Sequence, residues 1–182
     1  MVYRFKIVSD DVANFKREIE IDPEASFFTL RNAILDSVDY TKDEINTFFV
    51  CDDDWKREDE IVIEDFGSSS DADIWIMDST PINELIEDEG EKLEFVFDYL
   101  TERSFFIELK EIVTGKTLKE PVCVHKEGKA PLQHVDLDEF EKSLDNKNSE
   151  PSRTDMDMDF YGDSEFNEDE LGDGFDDMEM MP

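Results

Sequence analysis

Four residues of this chain, Cys51, Cys123, His125 and His134, are of the types that hold zinc. Their spacing argues against it, because Cys123-x-His125 is not a structural-zinc pair and no Cys-x-x-Cys is present. The simpler reading is two small buried thiols and two surface histidines. Oxygen-rich runs come next. Asp52-Asp53-Asp54 and Glu58-Asp59-Glu60 are dense enough to attract calcium or magnesium. A calcium loop needs ligands at set alternating positions and a turn glycine, whereas Trp55 and Lys56 interrupt the first run and no glycine follows. Both runs read as solvated acidic loops. Ser104, Cys123 and the two histidines form no nucleophile–base pattern, and neither a phosphate-cradling glycine loop nor a Gly-x-Ser-x-Gly elbow occurs. Paired carboxylates carry no signal in a chain with 51 acidic residues, since chance brings some together. The expectation is therefore no catalytic residue, no metal and no cofactor, in a protein that is not an enzyme.

Charge says more than any of these clusters. After Thr154 come twelve Asp or Glu and no Lys or Arg, in a run that starts Asp155-Met-Asp-Met-Asp-Phe-Tyr. Such a segment repels itself and buries too little apolar surface to offset the entropy of ordering, so a disordered tail is expected over 154–182. The tail is not the whole source of the charge. All 18 basic residues and 39 of the 51 acidic ones lie at or before Arg153, leaving 21 of the 33 net negative charges there. Acidity of this degree repels nucleic acid and anionic membrane and attracts basic protein surfaces.

Within the tail, Phe160, Tyr161, Phe166, Leu171, Phe175 and five of the seven methionines alternate with acids. Acidic–hydrophobic alternation keeps adhesive side chains exposed for a partner. The competing reading is a solubilising tail with incidental hydrophobes. Trp55 and Trp75, each flanked by charge, are either exposed interface anchors or core residues, and the short apolar run Ile74–Met77 favours the core for Trp75.

The elements that would position these groups follow from periodicity. Residues 2–8 alternate with Tyr3, Phe5 and Ile7 on one side, and 14–21 alternate with Phe15, Arg17, Ile19 and Ile21, which makes a hairpin. Ser26 is placed to cap a helix whose stripe is Phe27, Leu30, Ala33, Ile34 and Val38. Strands are expected at 47–51, 60–64, 93–99 and 105–113, with short apolar or extended pieces at 74–77 and 121–124. Gly67 to Asp71 reads as a flexible loop, a brief helix starts after Pro81, and Val135, Leu137, Phe140 and Leu144 space a terminal helix. The fold expected is α+β, a β-grasp-like mixed or antiparallel sheet that opens with a hairpin and a packed helix. The domains are a single α+β body over 1–141, a polar linker over 142–153 and the tail.

The run Phe95-Val-Phe-Asp98-Tyr-Leu-Thr-Glu-Arg-Ser-Phe-Phe-Ile-Glu-Leu109 resembles the signature strand pair of the plasmid pRiA4b open-reading-frame-three-like family. Some members of that family are labelled insertion-element passenger TnpR-type proteins. The N-terminal hairpin, the helix with Leu30, Phe48, Pro121-Val-Cys123 and Gly128-Lys-Ala-Pro131 fall where that family has corresponding elements. The resemblance spans residues 2–135 and is greatest to an acidic-tailed bacterial branch. The family signature is Tyr-x-Tyr-Asp-Phe-Gly-Asp-x-Trp-x-His. Asp98 matches it, while Leu100, Thr101, Arg103 and Phe105 replace its Gly, second Asp, Trp and His. The resemblance implies an α+β body and an association with mobile elements, and it brings no settled activity.

From these observations the function expected is a cytoplasmic, non-enzymatic interaction module. Its acidic body and acidic–hydrophobic tail would bind a basic protein surface, with neither nucleic acid nor membrane as a direct partner. The first alternative is a nucleic-acid-mimicking inhibitor of a DNA-binding protein. The second is an enzyme of unknown type.

Overall fold

The computed structural model describes residues 1–67 and 73–148. The candidate tail anchors Phe160, Tyr161, Phe166, Leu171 and Phe175 lie outside the described residues, as does most of the loop expected at 67–71. The chain divides into two units, Met1–Val135 and Asp136–Pro182.

The first unit is built on one eight-stranded mixed sheet. Its strands are β1 (Val2–Ser9), β2 (Lys16–Ile21), β3 (Thr47–Cys51), β4 (Arg57–Val62), β5 (Ile74–Ile76), β6 (Lys92–Asp98), β7 (Arg103–Val113) and β8 (Val122–Glu127). The spatial order is β5-β4-β3-β6-β7-β1-β2-β8. The β4–β5 pair is parallel and the others are antiparallel. The α+β architecture with an opening hairpin and packed helix is the one expected from periodicity. β1 and β2 form that hairpin, with Phe5 opposite Ile19 and Tyr3 opposite Ile21.

Helix α1 (Phe27–Ser37) begins where Ser26 Oγ accepts the Thr29 N–H. Its buried stripe of Phe27, Leu30, Ile34 and Leu35 follows the three-four spacing of an amphipathic helix. That stripe closes over one sheet face, where Phe5, Phe48, Phe95, Phe105 and Ile107 are all fully buried. Each fully buried phenylalanine contributes on the order of 1.5–3 kcal/mol of transfer free energy. Phe105 lies at the middle of this layer, with ring centroids 4.5 Å from Phe97, 5.3 Å from Phe15 and 6.0 Å from Tyr40. The one-turn helix α2 (Ile82–Leu85) staples the start of α1, since Ile82 N–H donates to Ala25 O and Phe27 N–H to Thr80 O.

The opposite sheet face is a lattice of ion pairs. Glu20 accepts from Arg4 at 2.6 Å and also meets Lys116, and Glu18 lies 2.8 Å from Lys16 and 2.6 Å from Lys110. Glu94 takes a two-pronged contact from Arg57, both arms 2.7 Å, plus the Ser104 hydroxyl. The aliphatic stems of these cations cover the carboxylates, and Glu20 is only 1% exposed.

Three elements show how boundaries depart from periodicity. β4 starts at Arg57, not residue 60, because the hairpin turn at 52–56 sets Arg57 opposite Cys51. β8 runs on to Glu127 through polar residues, since backbone pairing with β2, and not side-chain pattern, holds it. In the second unit, α3 (Leu137–Asn148) continues past Leu144 into the stretch read as polar linker, with Asp138 and Glu139 suiting its N-terminal dipole. Among the described residues no helix is long and apolar enough to cross a membrane.

Candidate functional site

The sequence candidates separate. Cys51 is on β3 and Cys123 on β8, with four strands between them, or about 24 Å at ordinary strand spacing. Burial pushes the Cys51 thiol up to about 11, with Glu94 adding to the effect, so its nucleophilic thiolate is suppressed at neutral pH. His125 lies 3.3 Å from Glu127 and His134 lies 3.7 Å from Glu44, at different places on the unit. No group of three His, Cys, Asp or Glu with metal-holding geometry occurs among the described residues.

The acidic run at Asp52–Asp54 is a hairpin turn. Asp52 Oδ1 accepts the N–H groups of Asp54 and Lys56, each at 2.9 Å, and Trp55 adopts a left-handed φ of 64°. A bulky residue seldom takes that conformation. Here its ring is half-buried edge-on to Phe106, with centroids 5.1 Å apart, and Lys92 sits over its face. Trp75 is half-buried against the core.

The signature strand pair is β6–β7, and of its altered positions Thr101, Arg103 and Phe105 are built into the structure while Leu100 is exposed. Asp98 accepts from the Leu100 N–H, the Thr101 hydroxyl and Arg103 Nη2. Arg103 donates onward to Leu132 O at 2.6 Å and Gln133 O at 3.0 Å. The Gln133 amide in turn clasps Thr41, accepting its N–H and donating to its carbonyl. Nearby Arg17, 6% exposed, gives its guanidinium to the carbonyls of Lys16, Ser37, Glu127 and Gly128. The polar groups that converge here tie the 127–133 segment to the body. A cleft of about 370 Å³ beside Tyr40 and Lys129 counts Arg17, Leu132 and Gln133 in its lining.

A second cleft, of about 440 Å³, has a different character. It is formed where α1, the loop before β3, the end of β4 and the start of β5 meet. Phe28, Ile45, Val62, Ile63, Phe66 and Ile74 give it an apolar lining, and Ile45 and Phe66 are exposed to 62% and 81%. Volume and lining suit a binding site. Arg31 forms part of the wall, 2% exposed, and burial lowers its pKa. Its donors go to Asn46 Oδ1 at 2.8 Å, Lys42 O at 2.7 Å, Glu44 O at 3.1 Å and Asn32 Oδ1 at 3.0 Å. They hold the 42–46 loop in place and leave little for a ligand. Asp43, Glu60, Glu64 and Asp65 also line the cleft, and none makes an ion pair with a Lys or Arg among the described residues. Lys42 is engaged at 2.9 Å by Asp36.

Sequence reasoning passed over this site because its residues come from five short segments, each ordinary by itself. The one available signal was Ile45, an apolar residue set alone in the polar run Thr41–Thr47.

The architecture is that of a sheet-and-helix α+β protein with a two-stranded signature at its centre. The model of the family described as plasmid pRiA4b ORF-3-like protein matches residues 1–173, and the chain belongs to that family. No curated protein matches. A crystal structure of a protein of unknown function from Methanosarcina mazei Go1 shares the fold. Its TM-score is 0.58 at 14% identity, over 81% of this chain and 82% of that one.

Proposed function

We propose that the chain is a non-enzymatic, cytoplasmic interaction module whose acidic body binds a basic protein surface. The observation that carries this reading is the partition of charge. Carboxylates on the open sheet face sit against lysines and arginines, whereas among the described residues Asp43, Glu60, Glu64 and Asp65 around the 440 Å³ cleft have no such partner. Carboxylates without a cation partner thus lie beside exposed apolar side chains there, which suits steered encounter with a cationic partner. The residues after Thr154 add a further twelve carboxylates to the same attraction. Two free thiols fit a reducing compartment.

The neutralised sheet face also weighs between the alternatives. A nucleic-acid mimic needs a rigid row of free carboxylates, and the most rigidly held ones, Glu18, Glu20 and Glu94, are already matched by cations.

The test is affinity capture by full-length protein at about 50 mM and about 500 mM salt, repeated with a chain ending at Arg153. Partners rich in Lys and Arg, recovered at low salt and lost at high salt by both forms, support the body as the binding element. Recovery of no partner, or of partners that salt does not release, contradicts it.

A further inference from the structure

Resting on that reading, we infer that the cleft at Ile45 and Phe66 takes one large apolar side chain of an extended basic segment, with flanking Lys or Arg on its acidic rim. Three observations lead there. The cavity, about 440 Å³, falls inside the usual range of ~300–1,000 Å³ for preformed ligand sites. Its apolar surface does not stop at the cavity, because Ile45 and Phe66 continue it outward at 62% and 81% exposure. Carboxylates with no Lys or Arg partner among the described residues are spread around it, Asp43 before β3, Glu60 on β4, and Glu64 and Asp65 after it.

That spread selects the occupant. A small organic cation brings a single charge and reaches one carboxylate or two. A peptide with cations on both sides of its anchor reaches all three segments and also covers the exposed Ile45 and Phe66 side chains. An acidic or phosphorylated segment is repelled, since Arg31 has its donors committed to carbonyl and amide oxygens. Burial of one aromatic anchor in such a pocket supplies most of the energy of a short-peptide contact, and the rim charges supply rate and salt dependence.

The probe is an acetylated, amidated peptide of sequence Lys-Lys-Gly-Trp-Gly-Lys-Lys, titrated into full-length protein at about 50 mM salt. Its binding is followed by anisotropy and by isoleucine methyl shifts. The expected result is saturable binding that perturbs Ile45, Ile63 and Ile74. It weakens at least ~10-fold on Ile45→Asp, weakens at least ~10-fold when Ser replaces the peptide Trp, and loses salt sensitivity on combining Glu64→Gln with Asp65→Asn. Ile45 and Phe66 are surface residues, so a melting curve for Ile45→Asp and for Phe66→Ala separates lost binding from lost fold. Three results overturn the inference: binding unchanged by both variants, equal binding of the Ser peptide, or equal binding of tryptamine alone. If affinity capture succeeds while the peptide fails, this site assignment falls and the interaction module stands. If capture fails too, the module itself falls.

Discussion

Buried arginines set the residue-scale logic of this protein. Arg17 and Arg31 are 6% and 2% exposed, and both satisfy their guanidinium groups with carbonyl and amide oxygens in a chain with carboxylates to spare. Their work is to hold loops. Replacing Arg31 with Met leaves the oxygens of Asn46, Lys42 and Glu44 without their donor, and about 3 kcal/mol of stability is expected to go, measured by urea unfolding. Arg31→Lys recovers only part of that, because an ammonium cannot reproduce the planar fork. Glu18 makes a second residue-scale prediction. Hydrogen bonds from Lys110, then Lys16, lower its carboxyl to about 2 against an ordinary value near 4.5. A folded-state value below the unfolded one contributes stability above about pH 4.5 that is lost as pH falls toward 2. Glu18→Gln is expected to flatten the acid limb of the stability curve over that window, read by denaturant midpoints at each pH.

At the scale of elements, the 127–133 segment is the joint on which the edge of the fold depends. Gly128 adopts a φ of 73°, and a Cβ there would come 2.2 Å from Asn14 O. Gly128→Ala is therefore expected to cost at least ~2 kcal/mol, whereas Gly115→Ala, strained in φ but facing open space, costs about 1 kcal/mol. Comparing the two melting curves checks the difference. Phe105→Leu removes a ring shared by Phe15, Tyr40 and Phe97 and is expected to destabilise by ~1–3 kcal/mol. Strands with alternating apolar residues, β1, β2, β6 and β7, were legible in the sequence because one buried face imposes a period of two. So was α1, whose stripe and Ser26 cap are both local signals. β8 was only half legible, since His125, Lys126 and Glu127 carry no apolar period and depend on β2 for their pairing. The cleft was not legible at all. It exists only once the loop at 42–46 and the end of β4 are brought together by a sheet order that periodicity does not encode.

The whole molecule carries 33 net negative charges, and their distribution decides what that charge does. On the open sheet face, ion pairs absorb part of it into the structure; around the cleft, Asp43, Glu60, Glu64 and Asp65 have no Lys or Arg partner among the described residues. Self-repulsion opposes compaction, so added sodium chloride is expected to raise the melting temperature while it weakens partner binding. Opposite salt responses of fold and binding are the mark of an acidic surface that serves recognition at some cost in stability. The most direct test of the central claim is affinity capture at about 50 mM salt with three proteins: the full chain, the chain ending at Arg153, and the full chain with Ile45→Asp. The expected result is the same basic partners on the first two and at least ~10-fold depletion on the third. Undiminished capture by Ile45→Asp, together with loss of capture by the shortened chain, would contradict it.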